Sequence, residues 1–87
     1  GFGQISKTME IEVYLYASLA KYLPESADGK SVWISCDSGC SAADIADHLQ
    51  IPKKEIKLVF VNGVRKAADT PLSDGDRLGL FPPVGGG

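Results

Sequence analysis

The chain has 87 residues, of which 44% are hydrophobic and 23% are charged, and its formal net charge at pH 7 is −2. A chain of this length folds as one domain around one small core, which leaves little room for an enclosed active site. The slight negative charge argues against a nucleic-acid partner, and no apolar run approaches the ~20 residues of a membrane-spanning helix. No signal peptide is visible, so we expect a cytoplasmic protein without a membrane partner.

The first segment, residues 1–8, shows no hydrophobic period and precedes Met9, the only methionine. We interpret this segment as a remnant of cloning or a disordered leader and exclude it from the fold. The folded domain is predicted to cover residues 9–81, and residues 82–87 are predicted to form a flexible C-terminal tail.

The first part of the domain is predicted to be a strand pair. Between residues 10 and 17, aliphatic side chains alternate with polar and aromatic ones, and this period of two indicates a half-buried strand. A short helical turn is predicted over residues 18–23. Residues 31–36 form a second strand, with Trp33 on the face opposite to its aliphatic residues. We expect these two strands to form an antiparallel hairpin with an elaborated loop.

The best helix in the sequence is predicted over residues 42–49. Ser41 is placed as its N-cap, and Asp44 three residues later makes an imperfect capping box. Ile45 and Leu49, four residues apart, give this helix one apolar stripe.

The second half is predicted to return to strands. Residues 57–61 form a third strand, and Asn62-Gly63 is the strongest short turn signal in the chain. Val64 begins a brief return strand, and residues 77–81 form the last one. Because neither a helix nor a sheet buries its apolar face alone, the helix must cover one face of a mixed sheet. We therefore predict an α+β fold of the β-grasp, ubiquitin-like type, with about five strands on one main helix and the first and last strands parallel at the centre.

Metal and enzyme chemistry find little support in the sequence. Cys36, Cys40 and His48 make at most three ligands, whereas a structural zinc site needs four. We interpret both cysteines as reduced thiols, one of them packed as a small hydrophobic residue, and predict no metal site. No nucleophile–base pair, carboxylate pair or phosphate-binding glycine loop is present in the sequence, so we do not expect an enzyme.

The C-terminal run combines stiff and flexible residues: Phe81-Pro82-Pro83-Val84-Gly85-Gly86-Gly87. The prolines stop the strand and direct the tail outward, while glycine lacks a Cβ and fits narrow channels. Extended at ~3.3 Å per residue, the tail from Pro82 reaches at most about 20 Å, enough to enter the active site of another protein. The alternative is an unused, disordered end.

The alternation of side chains also predicts a binding surface beside this tail. If the aliphatic residues face the helix, Tyr14, Tyr16, Phe60 and Phe81 lie on the opposite face of the sheet. Exposed apolar patches of this kind mark binding sites. We predict Phe81, Phe60 and Tyr14 as partner-binding residues; the alternative is that loops or partial burial cover some of them.

The order of elements and the terminal run resemble the MoaD family, the small subunits of molybdopterin synthase among the ubiquitin-like MoaD/ThiS sulfur carriers. Family members typically end in Phe-Pro-Pro-Val-Ala-Gly-Gly, so Gly85 departs from the usual alanine. The Asn62-Gly63 turn and the run from Leu72 to Asp76 also match, and the resemblance covers residues 9–87.

The resemblance implies a mechanism centred on the carboxylate of Gly87. An E1-like, MoeB-like enzyme would adenylate this carboxylate with ATP, and a sulfur donor would convert it to a thiocarboxylate. The tail would then enter the large, MoaE-like subunit of molybdopterin synthase, where the sulfur passes to the molybdopterin precursor. The inserted residues would be Pro82, Pro83, Val84, Gly85 and Gly86. The resemblance implies that this chain binds no cofactor and that catalysis resides in its partners.

Two alternatives stay open. The same carrier chemistry could serve another acceptor in thiamine thiazole, cysteine or tRNA thiolation, and only the run from Phe81 to Val84 favours molybdopterin. The chain could instead be a ubiquitin-like protein modifier, with Gly87 joined to a lysine by an isopeptide bond.

Overall fold

The computed structural model describes residues 8–25, 27 and 29–83. Within these ranges, five strands form one sheet in the order β2-β1-β5-β3-β4. Strands β1 and β5 are parallel, and the other neighbouring strands are antiparallel. The strands and helices are β1 (Thr8–Leu15), a 3-10 helix (Ala17–Tyr22), β2 (Ser31–Asp37), α1 (Ala42–His48), a second 3-10 helix (Lys53–Glu55), β3 (Leu58–Val61), β4 (Val64–Arg65) and β5 (Arg77–Phe81). The predicted β-grasp fold is confirmed, including the parallel central pair.

The boundaries differ from the predicted ones by one or two residues. Strand β1 begins at Thr8, the last residue of the predicted leader, and Thr8 pairs with Asp37. The same strand ends at Leu15 because Ala17 has a φ of 53°, which is incompatible with an extended strand. The other predicted leader residues, 1–7, lie outside the described residues.

The core lies between the sheet and α1, as the period of two predicts. The inward side chains of β1 and β5 are fully buried, and α1 adds Ile45, Ala42 and Ala46. Burying an aliphatic side chain of this size contributes about 1.5–3 kcal/mol, so this layer is the main source of stability. The fully buried strand residues are Ile11, Val13, Leu15, Leu78 and Leu80.

Helix α1 begins with the predicted cap. The amide N–H of Asp44 donates to the hydroxyl oxygen of Ser41 at 3.4 Å, and the amide N–H of Ser41 donates to the carboxylate of Asp44 at 3.0 Å. The capping box is therefore complete. The helix ends at His48, and Gln50 with a φ of 63° turns the chain away from it.

The predicted turn at Asn62-Gly63 joins β3 to β4. Both residues have positive φ, 53° and 84°, as a tight hairpin turn of this type requires. The side-chain oxygen of Asn62 accepts from the amide N–H of Arg77 at 3.0 Å, and its amide group donates to Asp76 at 2.9 Å. This asparagine therefore shapes the hairpin and also holds the start of β5.

In the described part of the chain, no helix is long and apolar enough to cross a bilayer.

Candidate partner-binding face and tail root

The sheet carries aromatic side chains on the surface that faces away from α1. Side chains of successive strand residues point to opposite faces, so burying the aliphatic set against α1 leaves the alternate residues outside. These residues lie on four consecutive strands of the sheet, β2, β1, β5 and β3, except Tyr16, which directly follows the end of β1. We call them the aromatic face: Trp33, Tyr14, Tyr16, Phe81 and Phe60.

Four of these rings pack against one another. The rings of Tyr16 and Phe81 stack with their centroids 4.3 Å apart, and those of Tyr14 and Tyr16 stack at 6.2 Å. Phe60 meets Phe81 edge-on at 5.4 Å. Such contacts hold the rings in fixed orientations. The structure thus brings together the three predicted binding residues, Tyr14, Phe60 and Phe81, in one half-buried cluster.

Gly79 lies beneath this cluster. A Cβ at this position would lie 3.4 Å from a ring carbon of Tyr16 and 3.7 Å from one of Phe81. These are ordinary van der Waals distances, so the two rings pack directly over this position of the central strand, beside a depression of about 340 Å³. Sequence reasoning did not place Gly79 beneath these rings, although it is a glycine inside a predicted central strand.

A charged group borders the aromatic face. The hydroxyl of Tyr14 donates to the carboxylate of Glu12 at 3.0 Å, and Arg77 lies 3.6 Å from the same carboxylate. The hydrogen bond to Glu12 is the main reason why the pKa of Tyr14 is raised, with partial desolvation adding to it. The guanidinium of Arg77 also lies 5.8 Å from the centre of the Tyr14 ring.

Trp33 extends the aromatic face to the edge of the sheet. It pairs with Glu12 across β1 and β2, so its side chain lies on the outer surface, and it is 56% exposed. Sequence reasoning placed Trp33 on the outer side of β2 but did not include it in the binding surface. The pairing register between β1 and β2 shows that Trp33 lies on the same face as Glu12, beside the other aromatic residues.

The tail leaves the sheet directly beside this face. The carbonyl of Phe81 accepts from the amide N–H of Lys57 at 2.7 Å, which closes the last rung of the sheet. Pro82 follows half-buried, and Pro83 is exposed. Proline has no N–H to donate, so the ladder cannot continue. The predicted reactive residue Gly87 and the predicted tail residues Val84, Gly85 and Gly86 lie outside the described residues.

The cysteines do not behave as predicted. Cys36 and Cys40 form a disulfide, so the prediction of two reduced thiols is wrong. The turn after β2 brings them together: the amide N–H of Cys40 donates to the carbonyl of Asp37, and Gly39 has a φ of 92°. Cys36 pairs with Met9, at the opposite end of β1 from the tail root. Within the described ranges, no group of three or more His, Cys, Asp or Glu side chains is arranged to hold a metal ion.

Comparison with known protein families finds one whose model matches nearly the whole chain. The family model described as Mut7-C ubiquitin matches residues 8–85. The comparison with curated proteins found no match.

Solved structures of small ubiquitin-like proteins match over nearly the whole chain. The HVO 2177 protein of Haloferax volcanii is 28% identical over 100% of both chains, with a TM-score of 0.69. Small archaeal modifier protein 1 of the same organism is 26% identical over 87% of this chain and 99% of its own, with a TM-score of 0.66. Subunit 1 or 2 in the molybdopterin-converting factor complex of Helicobacter pylori 26695 is 25% identical over 91% of this chain and 100% of its own, with a TM-score of 0.54.

Proposed function

The chain belongs to the Mut7-C ubiquitin family, and we propose that it is a sulfur carrier whose Gly87 forms a thiocarboxylate for molybdopterin synthesis. The observation that carries the proposal is the tail root: β5 ends at Phe81 within the aromatic cluster, and two prolines follow. The similarity to a chain of the Helicobacter pylori complex of molybdopterin-converting factor subunits 1 and 2 supports the choice of acceptor and of a large-subunit partner.

The proposed chemistry needs a free carboxylate at Gly87. A carboxylate is a poor acyl donor because oxide is a poor leaving group. An E1-like enzyme therefore transfers AMP from ATP to the carboxylate, and pyrophosphate leaves. A sulfur donor at the oxidation level of hydrosulfide then attacks the carbonyl carbon, AMP leaves, and a thiocarboxylate remains. This is covalent activation of the kind that acyl-transfer enzymes use.

The described residues would contribute position and recognition. The rung between Phe81 and Lys57 anchors the start of the tail, and Pro82 and Pro83 restrict the backbone that follows it. The aromatic face would bind the partner that accepts this tail. Aromatic side chains in pre-ordered clusters are typical of the residues that dominate binding energy at protein interfaces. The catalytic groups belong to the activating enzyme and to the large subunit in this proposal.

A second candidate is a ubiquitin-like protein modifier. The similarity to small archaeal modifier protein 1, at 26% identity, favours it specifically. Activation by adenylation is shared, and the two functions diverge at the nucleophile. A lysine amine attacking the activated Gly87 carbonyl gives an isopeptide bond, whereas a sulfur donor gives a thiocarboxylate.

Intact mass spectrometry tests the carrier chemistry. The chain is incubated with an E1-like enzyme from the same source, ATP and a sulfide donor, and we expect the mass change of one oxygen replaced by sulfur. A variant lacking Gly87 and a variant with one added residue after Gly87 serve as matched controls. If the extended variant takes up sulfur as well as the parent chain, the proposed role of the Gly87 carboxylate is wrong.

Reconstitution tests the acceptor. The loaded chain is mixed with a molybdopterin synthase large subunit and the pterin precursor, and we expect molybdopterin to form. Sulfur loading without molybdopterin would point to another acceptor. Lysine-linked adducts in cells, absent for the variant without Gly87, would favour the modifier instead.

A further inference from the structure

The helix side of the molecule carries a second surface feature, a groove of about 750 Å³ between α1 and the β3–β4 edge of the sheet. The groove exists because α1 turns its smallest side chains toward this edge. Ala42, Ala43 and Ala46 form one wall, and the buried side chains of Val59 and Leu80 contribute to the floor. Larger helix residues here would fill the space. We call this feature the basic groove.

The opposite wall of the basic groove is held in place by backbone hydrogen bonds. This wall is the segment of residues 66–69, which follows β4 in the sequence and lies beside the start of α1. The amide N–H of Lys66 donates to the carbonyl of Val59, and the amide N–H of Ala43 donates to the carbonyl of Ala68, both at 2.9 Å. The groove is therefore a formed part of the fold, because a bond to the sheet and a bond to the helix hold its wall.

Positive charge is concentrated around this groove. Residues 53–66 contain five cationic side chains and one carboxylate, a formal charge of +4 in a chain whose net charge is −2. The rest of the chain therefore carries a formal charge of −6. The single carboxylate of the basic segment, Glu55, already contacts Lys21 and accepts from the hydroxyl of Tyr22.

The lysines of the basic groove have no partner of opposite charge among the described residues. Four cations line the groove together with one carboxylate, Asp69, and no ion pair joins these cations to a described carboxylate; the cations are Lys53, Lys57, Arg65 and Lys66. Some cations elsewhere on the protein are paired, since Lys21 lies against Glu55 and Arg77 lies against Glu12, whereas Lys30 and Lys54 also have no ion pair among the described residues. An apolar floor flanked by unpaired cations suits a ligand that carries both apolar groups and negative charge.

We propose that the basic groove binds an acidic peptide segment of a partner protein. Small apolar side chains of the segment contact Ala43, the partly exposed residue of the alanine wall, and the exposed Ala67 and Ala68, and its carboxylates pair with Lys53, Lys57 and Lys66. The volume of the groove lies in the range of formed ligand sites, about 300–1,000 Å³. Nucleic acid fits less well, because none of the described residues that line the groove is aromatic and able to stack on bases, and the negative remainder of the surface repels a long polyanion.

This binding is independent of the sulfur chemistry. The basic groove and the aromatic face lie on opposite sides of the sheet, so one partner can occupy each at the same time. The two surfaces meet at the tail root, since Lys57 lines the groove and its amide N–H donates to Phe81. An acidic segment in the groove would therefore lie next to the point where the tail leaves the sheet.

Fluorescence anisotropy with the full chain tests the proposal. The probe is a fluorescein-labelled peptide of alternating glutamate and leucine, and the control probe replaces each glutamate with glutamine. We expect saturable binding of the acidic probe only. The double change Lys57→Glu with Lys66→Glu should weaken this binding by up to about 25-fold, because each exposed ion pair contributes up to about fivefold in affinity. Lys54→Glu is the matched control, since Lys54 lies in the same basic segment but does not line the groove, and it should change affinity less than about twofold.

A second arm tests the apolar wall. Ala43→Leu keeps the charge and the helix propensity but fills the groove, so it should weaken the acidic probe as well. Equal weakening by Lys54→Glu and by the double change would overturn the proposal, because it would show that the acidic probe is attracted by the overall positive charge of this segment and not bound in the basic groove. A uridine oligonucleotide that binds more tightly than the acidic probe would also overturn the proposal. So would displacement of the probe by tripolyphosphate, if Ala43→Leu leaves that displacement unaffected. All variants alter exposed or half-exposed positions, and circular dichroism confirms that each is folded.

Discussion

The two faces of the sheet use the same strands for different purposes. On the inner face, Val13, Leu15, Leu78 and Leu80 are fully buried against α1. On the outer face, aromatic side chains on the same strands are half-buried and contact one another instead of a covering layer. The inner face is aliphatic and closed, whereas the outer face is aromatic and open.

Because the inner face is buried and the outer face is open, single residues of one strand serve either the stability of the fold or the binding of a partner. Neighbouring residues in a strand, such as Leu80 and Phe81, face opposite sides and contribute to different properties. An inner residue stabilises the fold because water leaves its whole surface on folding. An outer aromatic residue keeps part of its surface in water, and that surface is available to a partner. Substitutions on the two faces should therefore affect different measurements.

The largest expected effect is the loss of an inner side chain. Leu78→Ala should lower the free energy of unfolding by about 2–5 kcal/mol, because it removes a fully buried side chain and leaves a cavity. Urea denaturation followed by circular dichroism measures this change. A loss below about 1 kcal/mol would mean that the inner face does not carry the stability assigned to it.

The next effect concerns the outer face. Phe60→Ala removes one edge-on contact with Phe81, so it should cost only about 1 kcal/mol of stability. Binding to a molybdopterin synthase large subunit should weaken by at least about 2 kcal/mol if Phe60 anchors the partner. Isothermal titration calorimetry measures the binding. Val64→Ala, at an exposed position on the β4 edge, is the matched control and should leave binding unchanged. If Val64→Ala weakens binding as much as Phe60→Ala does, the aromatic face has no special role in binding.

A smaller effect tests how the inner face depends on its helix. Ser41→Ala removes the cap that accepts from the amide N–H of Asp44, and should lower stability by about 1 kcal/mol. The aromatic face should be unaffected, so partner binding at a temperature where the variant is folded should equal that of the parent chain. Thermal unfolding and calorimetry check the two halves of this prediction. A change in binding as large as that of Phe60→Ala would show that the faces are coupled.

The smallest effect is a shift in pH dependence on the outer face. The pKa of Tyr14 is raised chiefly by its hydrogen bond to Glu12, so the neutral phenol is favoured in the folded state. The resulting stabilisation is complete below the unfolded-state pKa of about 10 and is lost as the pH rises through the higher folded-state pKa. Glu12→Gln should lower the pKa of Tyr14, seen as earlier growth of tyrosinate ultraviolet absorbance. An unchanged titration would show that Glu12 does not control this group.

Much of the outer face could be predicted from the sequence because strand periodicity is local. Once Ile11, Val13 and Leu15 are assigned to the core, Tyr14 must point the other way. Trp33 was not joined to this surface, since its place beside Glu12 depends on the register between β1 and β2. The disulfide between Cys36 and Cys40 was also missed, because it depends on how tightly the chain turns after β2.

The basic groove could not be predicted from the sequence. The positive charge of residues 53–66 is visible in the sequence, but a charged segment is usually a solvated surface. The groove requires the alanines of α1 to face the β3–β4 edge, and it requires the chain after Lys66 to be bonded to both elements. These are contacts between segments that are distant in sequence, so no local pattern reports them.

The sequence by itself determined the β-grasp fold, the two faces of the sheet and the proline-bounded root of the tail, because each follows from local periodicity and backbone restrictions. Only the tertiary structure decided which aromatic rings touch, how the cysteines pair and where the lysines without an ion pair among the described residues gather. Those features depend on strand register and on the packing of α1, which arise when distant segments meet. The reactive role of Gly87 stays a prediction from the sequence and its resemblance to known carriers.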